Sequence, residues 1–211
     1  MSQRERIIEQ TTAMLAEQGI KSIRMDDVAK TLGVSKRTLY EMFADKEELL
    51  YLCISRLRRQ LVERSEQAMA QYEGNVAAVF EGLRVTMEEQ HVLHRIMGNM
   101  RKFYPELFER IKRESEQEQG ERLYSIIKRY IDEGLIMPQI DLRLSITLLY
   151  HTTTTVFSLA AGGMLPDGVG ERDVLMYALV NFFRGISTVK GVMQIDDYFA
   201  GRKGVEDSNK N

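Results

Sequence analysis

The chain has 211 residues with a net charge of −2, and 44% of its side chains are hydrophobic, enough apolar material to fill a sizeable core. That charge excludes a protein that coats nucleic acid by bulk basicity, so any contact with DNA has to be local. The single cysteine, Cys53, excludes an internal disulfide, and the opening SQRERIIEQ is too charged for a signal peptide, which places the expected setting in a reducing cytoplasm.

Three prolines (Pro105, Pro138, Pro166) and the lack of sustained period-two alternation predict an all-α fold. Ser2 and Glu5 fit a capping box, and Ile7, Ile8, Thr11, Met14 and Leu15 recur at helical steps up to a stop at Gly19. Ile20 and Ile23 are expected to pack beneath the next elements. A second helix follows over Met25, Val28, Ala29 and Leu32, with Asp26 and Asp27 in its first turn, where negative charge favours the helix dipole. Gly33 turns the chain. Ser35 then caps a short third helix that displays Lys36, Arg37 and Thr38 and turns Leu39, Met42 and Phe43 inward. The stretch Met25 to Lys46 therefore reads as a helix-turn-helix, whose second helix presents basic and hydroxyl groups of the kind a major groove accepts.

Asp45 to Glu48 is a second capping box, opening a long helix to about Tyr72 with one apolar stripe of Leu49, Leu50, Cys53, Ile54, Leu57 and Leu61. Gly74 and Asn75 break it. Helical periodicity resumes over Val76–Glu89 and His91–Met100, and Pro105 occupies the first turn of a helix from Glu106 to about Gly134. Asp141 caps a helix to about Ala161, whose Arg143, His151 and threonines argue against a membrane span. The last predicted helix runs from about Glu171 to Val189. The apolar surface of these final two helices exceeds the needs of one domain and predicts a homodimer through 141–161 and 171–189. A polar tail over 201–211 is expected to be disordered.

Val28-Ala29, Leu32-Gly33-Val34-Ser35-Lys36, Thr38-Leu39-Tyr40, Phe43 and Lys46-Glu47-Glu48-Leu49-Leu50 together resemble the N-terminal domain of TetR-family transcriptional regulators. The resemblance implies a DNA-binding domain over 1–46 joined by the long helix to a helical effector-binding and dimerisation domain over 47–200. It implies a cytoplasmic repressor, not an enzyme, that binds a palindromic double-stranded operator as a dimer and is released by a small-molecule effector. Carried onto this sequence, it places Ser35, Lys36, Arg37, Thr38 and Tyr40 on the recognition helix and Lys46 at the start of the long helix. Hydroxyls of Thr38 and Tyr40, and the ammonium of Lys46 at a helix N-terminus, suit phosphate. Lys36 and Arg37 match the O6/N7 edge of guanine. Two positions depart from the family pattern. Arg24 stands where a Ser or Thr cap is common, exchanging the cap for a charge that suits phosphate, and Arg37 stands where glycine is frequent, either reading a base or neutralising a phosphate.

An adaptable apolar effector pocket is expected from Phe80, Met87, Met97, Met100, Phe103, Tyr104, Tyr124, Tyr130 and Phe157, with His151 and Thr154 as polar additions. Core filling is the competing role for each, and back-bonding to helix carbonyls is the competing role for the threonine run. The alternative function is an all-α metal-dependent enzyme using Glu88, His91 and His94, which a helix would project to one side. The glycines of GGMLPDGVG follow no strand, so a phosphate-cradling loop is not expected, and no cofactor is implied.

Overall fold

The computed structural model describes residues 1–89 and 91–208, with 157, 158, 160, 161 and 202–208 described as backbone alone. Its elements, in chain order, are α1 (Gln3–Gln18), α2 (Met25–Leu32), α3 (Lys36–Met42), α4 (Lys46–Ala70), α5 (Ala78–Glu89), α6 (His91–Phe103), α7 (Pro105–Asp132), α8 (Leu142–Ala161), α9 (Glu171–Ile186) and α10 (Val189–Ser208). The fold is all-α among the described residues, and an isolated antiparallel bridge joins Ile136 to Ser187.

The chain forms two compact units, Met1–Glu66 with Arg84–Ser115 and Gln67–Leu83 with Glu116–Asn211. The expected division after residue 46 follows the motif, whereas compactness keeps most of α4 with the motif. The reason is burial: Leu49, Leu50, Cys53 and Ile54 are fully enclosed with Ile7, Leu15, Val28 and Leu39 in one core, joined by Ile96, Met100 and Ile111 from α6 and α7. Full burial of a leucine such as Leu39 contributes about 1.5–3 kcal/mol, so three leucines on one short path account for much of the docking of α3 and α4.

Local chemistry sets the boundaries in this unit. The Ser2 hydroxyl accepts from the Glu5 amide at 3.2 Å and the Glu5 carboxylate accepts from the Ser2 amide at 2.7 Å, completing the capping box of α1. Gly33 adopts φ 64°, ψ 31°, a left-handed conformation that glycine enters without a Cβ penalty, and the Val34 amide returns to the Ala29 carbonyl at 3.0 Å. The Asp45 carboxylate accepts from the Glu48 amide at 2.8 Å, while Glu48 reaches back to the Ala44 amide at 2.7 Å.

In the second unit Phe80, Ile127, Tyr130, Leu135, Ile136, Leu175, Leu179, Phe183 and Ile195 are buried. The Tyr198 hydroxyl donates to the buried Glu81 carboxylate at 2.7 Å within a ring cluster of Phe80, Phe183, Tyr198 and Phe199. The last predicted helix requires correction: it ends at Ile186 rather than Val189, and α10 follows. Ser187 is extended (φ −82°, ψ 150°), the Met137 amide donates to the Ile186 carbonyl at 2.9 Å, and the Thr188 amide donates to the Leu135 carbonyl at 3.0 Å. A tertiary backbone pairing thus supplies partners that continued helix would otherwise provide. The expected disordered tail falls, from 202 onward, on residues whose side chains lie outside the description, and the α10 backbone extends to Ser208.

Candidate nucleic-acid interface

The motif is built from two short helices that expose cations on a buried footing. Met25, Val28, Ala29 and Leu32 face α2 inward at helical spacing, and Leu39 and Phe43 anchor α3 and the residue after it. Ser35 caps α3, its hydroxyl oxygen accepting from the Thr38 amide at 3.0 Å and lying 2.7 Å from the Thr38 hydroxyl oxygen. The cap satisfies one orphan amide and orders the N-terminal turn from which Lys36 and Arg37 project.

Both of these cations are engaged by carboxylates. Lys36 Nζ lies 2.7 Å from Asp26 Oδ1, and Arg37 Nε donates to Glu41 Oε1 at 2.8 Å, with all four side chains exposed. The hydrogen-bonded, oppositely charged Asp26 holds the Lys36 ammonium above the usual lysine range. Over 25–43, Lys30, Lys36 and Arg37 are balanced by Asp26, Asp27 and Glu41, so the motif itself carries no net charge. Contact with a polyanion here depends on placement and on exchange of partners.

Arg24 precedes α2 in an extended conformation (φ −120°, ψ 142°) and makes no side-chain capping bond, as expected from its departure from a Ser or Thr cap. Tyr40 is 46% exposed on α3. Lys46 opens α4, with Nζ 5.4 Å from the Tyr104 ring centroid. Arg24, Ser35, Lys36, Arg37, Thr38, Tyr40 and Lys46 all belong to the first unit. Ser35 and Thr38 form one hydrogen-bonded cap.

Several residues that sequence reasoning missed hold this surface in shape. Arg4 donates to Glu48 at 3.0 Å and to the Met42 carbonyl at 3.4 Å, with its guanidinium 5.1 Å from the Phe43 ring centre. It fastens the ends of α1 and α3 to the start of α4. Arg6 donates to the Leu32 carbonyl at 3.5 Å, at the C-terminal end of α2, where a cation opposes the helix dipole. The Arg37–Glu41 pair was legible as an i,i+4 spacing. The partners of Arg4 and Arg6, and Asp26 beside Lys36, had no sequence signal.

The expected effector residues are divided between the units. Met87, Met97, Met100, Phe103 and Tyr104 lie in the first, and Phe80, Tyr124, Tyr130, His151, Thr154 and Phe157 in the second. The Phe157 side chain lies outside the described residues. Phe80, Met100 and Tyr130 are fully buried; Phe103 is 41% and Tyr124 49% exposed. Tyr124 borders a surface cavity of about 480 Å³ with Glu121, Arg143, Ile146 and Thr147. The Thr154 hydroxyl donates to helix carbonyls of Tyr150 at 2.9 Å and His151 at 3.2 Å, and Thr153 to that of Tyr150 at 2.8 Å. These are the back-bonds expected of threonine within a helix.

The alternative metal arrangement does not assemble. Among the described residues no group of three His, Cys, Asp or Glu side chains is placed to hold a metal. Glu88 instead pairs with Arg84 at 2.7 Å, and the His91 Nδ1 lies 3.1 Å from the Glu88 carbonyl oxygen. No described helix is long and apolar enough to cross a membrane.

Comparison with known proteins places this geometry. Residues 7–51 match the family model described as bacterial regulatory proteins, tetR family. An HTH-type transcriptional regulator of Staphylococcus aureus (strain bovine RF122 / ET3-1) is 28% identical over 117 residues, which cover 50% of this chain and 63% of that protein. Another from S. aureus strain USA300 is 32% identical over 85 residues, 40% of this chain and 44% of that protein. The chain thus spans about half the length of the curated relatives it matches. Among solved structures, a transcriptional regulator from Cytophaga hutchinsonii ATCC 33406 superposes with a TM-score of 0.71 at 18% identity, covering 87% of this chain and 98% of that one. A putative TetR-family transcriptional regulator from Mesorhizobium loti MAFF303099 superposes at 0.67 and 18% identity, covering 89% and 100%. At such identities these two show a shared fold.

Proposed function

We propose that the chain, whose residues 7–51 match the tetR family model, is a ligand-responsive transcriptional regulator of that family that represses by binding a palindromic operator as a dimer. The observation that carries this reading is a capped, well-anchored α3 presenting Lys36 and Arg37 to solvent beside Tyr40, with Arg24 and Lys46 at the flanking helix starts. In this reading Lys36 and Arg37 exchange their carboxylate partners for DNA, with Arg37 reading a base, while Arg24, Ser35, Thr38, Tyr40 and Lys46 hold phosphates. Phosphate contacts set affinity and register; the base contacts select sequence.

The dimer forms through α8 and α9, a reading supported by Leu144 and Leu148 exposed one turn apart on α8 and by Tyr177, 74% exposed, on α9. Twofold symmetry then presents two recognition helices to half-sites about 34 Å apart. A small apolar effector, accommodated among the methionine and aromatic side chains beyond α3, favours a state in which that spacing is wrong. It lowers operator affinity by no more than its own differential affinity for the two states.

Selection of bound duplexes from random sequence tests the proposal. The expected outcome is one enriched palindrome, whose binding weakens uniformly across sequences in Lys46→Ala and Tyr40→Phe variants. Failure to enrich any palindrome would overturn it.

A further inference from the structure

The α6–α7 elbow presents two consecutive rings, and each has a lysine from the first 46 residues over it. Phe103 closes α6 and Pro105 opens α7, so Tyr104 sits between them, restricted to extended conformations by the proline that follows. Its amide donates to the Met100 carbonyl at 2.7 Å and its carbonyl accepts from the Phe108 amide at 2.9 Å, which fixes the elbow into both helices. Tyr104 is half-buried against the core of the first unit. Lys46 Nζ, from the first residue of α4, lies 5.4 Å from its ring centre. Lys21 Nζ, from the turn between α1 and α2, lies 4.7 Å from the Phe103 ring centre, and Lys102 Nζ lies 5.7 Å from the same ring.

An ammonium over a ring is attracted by the negative face of the π-system and keeps its opposite side open. A lysine held this way has its flexible four-carbon stem ordered in advance and still presents hydrogens to a phosphate oxygen. Tyr104 is expected in an effector pocket on composition, and in space it lies beside Lys46. We propose that Tyr104 is a positioning residue for operator binding, preorganising the Lys46 ammonium for phosphate, with Phe103 and Lys21 fastening the same elbow to the α1–α2 turn. This rests on the DNA-binding reading above. Displacement of the α6–α7 elbow would then release Lys46 without any change in α3, so operator affinity would follow the elbow through one side chain.

The test is a cycle of four proteins, wild type, Tyr104→Leu, Lys46→Ala and the double variant, titrated with the palindrome enriched by wild type, together with Tyr104→Phe. Tyr104→Leu weakens binding by about two- to five-fold per subunit, the range of an exposed cation–π contact. Tyr104→Phe, which keeps the ring, restores wild-type affinity, and Tyr104→Leu has no further effect once Lys46 is alanine. An equal loss in the Lys46→Ala background would mean that the ring serves packing alone and would overturn the proposal, as would equal losses for Phe and Leu. A second readout needs neither DNA nor a change at the ring: after reductive ¹³C-methylation, the Lys46 methyl signal, assigned by its disappearance in Lys46→Arg, is shifted upfield by the Tyr104 ring. A resonance at the position of free dimethyl-lysine would overturn the proposal. A wild-type protein that enriches no duplex sinks the functional reading with it, whereas an enriched palindrome with additive variants sinks this inference alone.

Discussion

Replacing Glu41 by glutamine removes one carboxylate from α3 while keeping its length, and it isolates the exchange of partners that the proposed base contact by Arg37 requires. In the free chain the Glu41 carboxylate accepts from Arg37 Nε at 2.8 Å, with the two side chains 59% and 89% exposed. An exposed i,i+4 ion pair contributes about 0.3–0.5 kcal/mol, roughly a factor of two in an equilibrium constant. If Arg37 leaves Glu41 to reach DNA, wild type loses that energy on binding and Glu41→Gln does not. With one α3 per half-site, operator affinity rises about four-fold for the dimer. The slope of log affinity against log salt also steepens, because Glu41→Gln leaves one more uncompensated positive charge per subunit facing the DNA. Fluorescence anisotropy titrations of the enriched palindrome between about 50 and 200 mM salt resolve both quantities. Weaker binding by Glu41→Gln would refute the reasoning, since Glu41 would then itself accept from DNA, as a carboxylate can from a cytosine amino group. Unchanged affinity and slope would place Arg37 away from the DNA.

Three other expectations concern stability and reactivity. Burial pushes the Cys53 thiol up to about 11, so iodoacetamide modifies it at pH 8 only as the chain unfolds, and rapid labelling of the folded protein would contradict its enclosure. A Cβ at Gly191 would run into the Leu135 carbonyl oxygen and lie 3.0 Å from Ser187 Cβ, so Gly191→Ala costs about 1–3 kcal/mol by overcrowding. A thermal melt that fails to shift downward would show that α10 yields at its first turn. Partial burial, with donation to the Glu116 carboxylate at 2.6 Å, pushes the Tyr150 hydroxyl from 10.0 to about 12. Its raised value means the folded state keeps a proton that the unfolded state loses, so its contribution is intact below pH 10 and disappears between pH 10 and about 12. Denaturant titrations across that window should decline less steeply for Tyr150→Phe than for wild type.

The sequence by itself determined the helix-turn-helix, because every cue there is local. Ser2 and Glu5 close their box within one turn, Gly33 meets a left-handed turn, Ser35 caps its own helix, and the apolar spacing of Met25, Val28, Ala29 and Leu32 sets the buried face. Such interactions span a few residues, so their partners can be read from spacing. Tertiary structure decided what depends on residues far apart in the chain. The end of α9 is set by pairing of 186–188 with 135–137, which helical periodicity through Val189 cannot reveal. The state of the candidate interface is decided likewise: Asp26 reaches across the turn to Lys36, and Tyr104 meets Lys46 from far along the chain. Composition made Tyr104 a pocket candidate because an aromatic residue suits any apolar site; its place beside the Lys46 ammonium is set by neighbours in space that no local pattern contains.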